Sequence, residues 1–151
     1  VIQGIADAYV PARPDTIIHM TFLDAFVSRG VLAPAYGRRV FGRNSDYAES
    51  YVTRREPAFL TNALLKHAHN FDVTAVIPRE RAADRSYYHI WPIHYYLESA
   101  AALGPGRLAP GLPLAPYTFR PPAGLDLKQA LREYYASLRK RYPSGQATVL
   151  R

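Results

Sequence analysis

Apolar residues along the chain recur mostly at spacings of three and four, the period of a helix that buries one face. The last such run is the clearest. Over 125–142, Leu127, Leu131, Tyr134, Leu138 and Tyr142 form one stripe. Asp126 precedes it and Arg139, Lys140 and Arg141 close it, so each charge sits at the end of the helix dipole that favours it. The stretch 15–30, DTIIHMTFLDAFVSRG, puts Ile18, Phe22 and Phe26 on one face, with Asp15 or Thr16 to cap it and Gly30 to stop it. Asn44 or Ser45 opens a second helix through about Arg55, and Pro57 suits the first turn of a third, AFLTNALLKHAHN, ended by Asn70. A further helix is expected from Pro92 through Leu103, halted by the GPG at 104–106.

One segment reads differently. FDVTAVI, over 71–77, is rich in β-branched residues and closed by Pro78, which predicts a short strand. With no second clear strand to pair with it, a large sheet is not expected. Residues 1–14 carry prolines at 11 and 14, and 104–124 hold six prolines and four glycines, so both read as extended chain. The layout is therefore an extended N-terminal segment (1–14), a helical domain (15–103), a Pro/Gly-rich extended segment (104–124), an amphipathic helix (125–142) and a basic tail (143–151). The fold class it predicts is mainly α: a small, irregular helical domain of about four or five helices with at most a minor β element.

Composition narrows the chemistry. The 151 residues are 48% apolar and 21% charged, a globular balance of single-domain size. No cysteine is present, which excludes disulfides, thiolate metal sites and a cysteine nucleophile. No apolar run approaches the ~20 residues that span a bilayer. The chain starts at Val1, and a removed organelle-targeting segment ahead of it is an expectation. Net charge is +7, with sixteen arginines among nineteen basic residues, and +4 of it falls on 125–151. Such a basic excess points to nucleic acid, anionic lipid or an acidic protein surface, although GC-rich coding also raises arginine, alanine and proline together.

Candidate catalytic and metal sites are sparse. His67 and His69 are two apart on a presumed helix, and His89 and His94 are five apart across Pro92. Neither spacing is the helical i, i+4 pair that holds zinc, and Asp72 or Glu98 could complete a site only through tertiary structure. No GxSxG, GxGxxG or GxxxxGK[ST] occurs, so Ser86 and Ser99 gain nothing from a neighbouring histidine. Glu49, Glu56, Glu80 and Glu98 have no spacing that marks an acid/base pair. No cofactor is implied. Arg38, Arg39 and Arg43 in GRRVFGR could grip phosphate, and RRVF, REYY and RKRY interleave cations with aromatics as RNA-binding proteins do.

The densest feature is YYHIWPIHYY, over 87–96, which holds four tyrosines, two histidines and the single tryptophan. Tyrosine and tryptophan bury large areas while keeping a polar tip, so Tyr87, Tyr88, Trp91, Tyr95 and Tyr96 read as partner-binding residues, with packing of the protein's own core as the alternative. Leu112, Tyr117 and Phe119 in the proline-rich segment, and Arg139 and Arg141 on the last helix, join that set. In composition and layout, though in no matched residue, the chain looks like the small accessory subunits of mitochondrial energy-converting complexes. That likeness implies a non-catalytic structural subunit of a respiratory-chain complex or ATP synthase, peripheral to the inner membrane. It would bind neighbouring protein subunits and contact anionic lipid. The alternatives are an RNA-contacting protein of an organellar ribosome and a small histidine-based metal protein or enzyme.

Overall fold

A computed structural model describes residues 2–55, 61–101 and 123–151. In chain order its elements are α1 (Ile2–Ala12), β1 (His19–Leu23), α2 (Tyr36–Val40), β2 (Tyr47–Val52), β3 (His69–Asp72), α3 (Tyr87–Ala101), α4 (Leu127–Arg141) and β4 (Ala147–Val149). The four strands form one sheet in the order β1-β2-β3-β4, and every pair is parallel. The fold is α/β, which overturns the mainly α expectation with its minor β element.

The correction has a physical cause. Ile18, Phe22 and Phe26 do lie at helical spacing, but the chain follows the period of two: Met20 and Phe22 are buried while their neighbours are half-buried. Residues 15–30 therefore supply β1, and 44–55 supply β2, in place of two helices. A parallel sheet covered on both faces ordinarily reads as continuous apolar strands. Here HMTFL, YAESYV and HNFD break that pattern with polar residues, Thr21, Glu49 and His69 on one face and Ser50 and Asn70 on the other, which hid them. The strand expected over 71–77 begins and ends earlier, at His69–Asp72, and a 3-10 turn follows at Thr74–Val76. Residues 61–68 are turns, not the expected third helix, whose remainder at 57–60 lies outside the described residues. The N-terminal segment is helical despite Pro11, which falls in the last turn of α1. Within the tail, 147–149 form β4. The extended reading of 104–124 falls almost wholly outside the described residues. The last helix runs as its stripe implies, and the Asp126 carboxylate accepts from the Gln129 amide at 2.9 Å as its N-cap.

Two layers enclose the sheet. On one face, Ala6 of α1 packs with Met20, Phe22, Val27, Ala48, Leu65 and Ala68. Buried Gln3 ties α1 down: its amide donates to the Arg43 carbonyl at 3.0 Å and its oxygen accepts from the Gly42 amide at 2.9 Å. Gly42 has φ +93°, and a Cβ there would run into the His67 carbonyl, so only glycine fits this crossing. On the other face, Tyr51, Phe71, Val73 and Trp91 form one cluster and Tyr47, Tyr135 and Leu138 another, under α3 and α4.

Proline 92 lies inside α3, five residues after its start, and not in the first turn. It cannot donate to the Tyr88 carbonyl one turn back. Thr53, just past β2, does so instead through Oγ1 at 2.8 Å. A helix-breaking residue thus creates the acceptor that fixes α3 to the end of the sheet. Thr53→Val should cost about 1–3 kcal/mol by orphaning that carbonyl. In a Pro92→Ala background the restored amide can serve Tyr88, so the same change should cost clearly less. Urea unfolding of the four proteins measures the difference, and equal costs in both backgrounds would count against this account.

Candidate functional site

Three of the polar residues that disguised the strands, Thr21, Glu49 and His69, meet on one face of the sheet. The register sets Thr21 of β1 beside Glu49 of β2, and Glu49 beside His69 of β3. Glu49 is completely buried. A buried carboxyl group is tolerated only when hydrogen-bonded. Thr21 donates to Oε1 at 3.0 Å and Tyr51 donates to Oε2 at 3.1 Å. His19 Nε2 stands 3.4 Å from Oε1, a longer and weaker contact, and its Nδ1 stands 3.4 Å from the Tyr135 hydroxyl of α4. The Tyr96 hydroxyl of α3 reaches Thr21 Oγ1, also at 3.4 Å. Both covering helices thus send a phenol to the same network.

Burial, first of all, raises the pKa of these phenols. Tyr135 is pushed up to about 12, with Tyr134 and Glu49 adding to the effect, and Tyr47, Tyr95 and Tyr96 are also raised. Near neutral pH these phenols are protonated, and those of Tyr96 and Tyr135 join the network as neutral hydroxyls, not as nucleophiles. The Tyr47 and Ser50 hydroxyls are buried and have no hydrogen-bond partner among the described residues. The network organises the sheet more than it offers a reactive group.

His69 lies at the far side of the same layer. Its Nδ1 is 2.8 Å from the Pro143 carbonyl, so that nitrogen carries the proton, and Nε2 at 2.9 Å accepts from the Thr148 hydroxyl. One imidazole fixes both the loop into β4 and β4 itself. Its neighbour Asn70 is fully buried, accepts from the Leu65 amide at 2.8 Å and donates to the Leu65, Ala68 and Gln146 carbonyls.

Open parallel sheets usually place ligand sites beyond the carboxyl ends of their strands. Here the start of α3 covers that edge. Buried Asp24, which follows β1 with φ +49°, pairs with His89 Nδ1. Trp91 Nε1 donates to the Val73 carbonyl at 3.0 Å. The buried carboxylate orients the half-exposed imidazole, an arrangement that can hold a proton acceptor in place.

The aromatic segment is thus divided. Trp91 and Tyr88 are buried in the protein's own core, and the Tyr88 hydroxyl donates to the Ala82 carbonyl at 3.0 Å. Tyr95 and Tyr96 are half-buried with ring centroids 5.9 and 5.5 Å from Tyr51. Tyr87 lies between Trp91 and His94, with Arg81 over its ring. Arg139 and Arg141 are exposed on α4, away from this segment in the chain, and Arg139 donates to the Asp46 carbonyl. Leu112, Tyr117 and Phe119 lie outside the described residues. His67 accepts from Arg43 Nε at 3.3 Å, apart from His69. Among the described residues no three His, Asp or Glu side chains converge as a metal site, and no helix is long and apolar enough to cross a membrane.

Sequence reasoning passed over His19, Thr21 and Asp24, and weighed Glu49 only to set it aside for want of a partner at a telling spacing. The alternation in HMTFL and YAESYV was the available signal, but it identifies a site only once the strands are paired. Beside His89, His94 and Glu98, α3 leaves three large apolar residues in solvent: Ile90, Ile93 and Leu97, at spacings of three and four, are between 41% and 59% exposed. Ile2, Ile5 and Tyr9 repeat the pattern on α1. No family model, curated protein or solved structure matches the chain, so its geometry carries the functional argument.

The pKa of His69 is lowered, chiefly by burial. Its unfolded form therefore takes up a proton at a pH where the folded form does not. Its contribution is complete above about pH 6.5 and declines as pH falls from there toward the lowered folded value. Urea midpoints measured between about pH 8 and 5 should drop on acidification in the wild type and drop less in His69→Gln. Parallel curves for the two proteins would contradict this role.

Proposed function

We propose that this protein is a non-catalytic subunit of a larger multiprotein assembly, held there by contacts with neighbouring subunits. The observation that carries the reading is the outward stripe of α3. Single exposed apolar residues are ordinary on a folded surface, but Ile90, Ile93 and Leu97 lie one turn apart on a helix whose opposite side is already packed. Such a stripe is the form in which one helix meets a groove or another helix. With Trp91 and Tyr88 committed to the core, the docking role assigned to the aromatic segment passes to these aliphatic positions. The compositional likeness to accessory subunits of mitochondrial energy-converting complexes makes a respiratory-chain complex or ATP synthase the assembly to test first.

Gentle detergent extraction of the native protein, followed by native gel and mass spectrometry, should find it in a stable complex with other subunits. The double substitution Ile93→Asp/Leu97→Asp should reduce that recovery about tenfold while leaving the circular dichroism and melting of the isolated protein unchanged. Recovery of the native protein solely as a free monomer would overturn the reading.

A further inference from the structure

The sheet has two outer edges, and they differ. β4 spans only Ala147–Val149, with Arg151 two residues beyond it, the kind of short edge flanked by charge that resists pairing. β1 is five residues long, contains neither proline nor lysine, and among the described residues pairs only with β2. Backbone parity shows which of its groups are left over. Asp24 N–H donates to the Tyr51 carbonyl, and the Ile18 carbonyl accepts from the amides of Asp46 and Tyr47. Even-numbered positions thus face β2, so the N–H and C=O groups of His19, Thr21 and Leu23 point to the outer edge.

Beside that edge runs a groove of about 330 Å³ lined by Ile2, Ile5, Tyr9, Ile17, Ile18 and Met20. Its floor belongs to the strand and its wall to α1, which Gln3 fixes in place. An apolar groove alone would not specify its occupant. A row of backbone donors and acceptors that no described residue pairs, along the same groove, does, because an extended peptide is what satisfies both together.

We propose that β1 is a strand-addition site. An extended segment of a partner subunit pairs with His19, Thr21 and Leu23 as a fifth strand and sets an apolar side chain into the groove under α1. The backbone ladder supplies binding, and the groove selects an apolar residue at alternate positions of the partner. The side chains of His19 and Thr21 are already engaged with Glu49, so register is fixed before the partner arrives. This inference rests on the assembly reading above, through a surface separate from the α3 stripe.

Hydrogen exchange by mass spectrometry, on the tagged full chain alone and within its extracted assembly, tests it. The amides of His19, Thr21 and Leu23 should exchange about tenfold or more slowly in the assembly. Ile5→Lys, at an exposed groove position, should abolish both incorporation and protection, whereas Leu127→Lys, exposed on α4, should change neither. An assembly that forms with the amides of His19, Thr21 and Leu23 unprotected, or that tolerates Ile5→Lys, overturns strand addition and leaves the subunit reading intact. Failure to find any assembly overturns both. Protection that rises with concentration of the pure chain would assign the edge to a second copy, and protection already present in the dilute monomer would assign it to this chain; either result overturns the partner proposal.

Discussion

The carboxyl group of Glu49, sealed in the middle of the sheet, is the constraint on which the rest of the structure depends. Its side chain has no access to water, so its acceptors must be served by the protein. One donor comes from β1, one from its own strand two residues on, and an imidazole from β1 approaches as well. These groups meet only in the register that aligns Thr21 with Glu49. A slip of one residue would turn Thr21 to the opposite face and leave the carboxyl group without it. In a sheet whose strands are short and not continuously apolar, that specificity does what hydrophobic patterning does elsewhere.

The helices above are shaped by the same face. Tyr96 from α3 and Tyr135 from α4 extend the network upward, and both must stay protonated to do so. At the carboxyl end of the strands, Thr53, Val73 and Asp24 each bind a successive group of α3, so that helix is fixed from three strands at once. Its inner side is thereby committed to the fold. What lies outside that packing is the outer row of Ile90, Ile93 and Leu97, together with the edge of β1 that no described residue pairs.

The sequence made some of this legible. The stripe and caps of α4 were plain because an exposed amphipathic helix obeys its own period and Asp126 is a local cap. The sheet was not legible, since its polar positions are satisfied by residues far away in the chain: Glu49 by Thr21, His69 by Pro143 and Thr148, and Asn70 by Gln146. Read locally, those residues look like surface. The aromatic segment was read as a partner-binding surface, with packing in the protein's own core as the alternative. Whether its indole served a partner or the core turned on Val73, which accepts from it. The groove beside β1 was invisible for the same reason, since it exists only once α1 and β1 are brought together.

The most direct test of the central role of Glu49 is its coupling energy with Thr21. Unfolding free energies of the wild type, Thr21→Val, Glu49→Met and the double variant yield it without assumptions about either residue alone. The expected result is a coupling of about 1 kcal/mol or more, because removing the hydroxyl matters only while the carboxyl group is there to need it. Strictly additive effects would contradict the account, and the sheet would then owe its register to its apolar contacts alone.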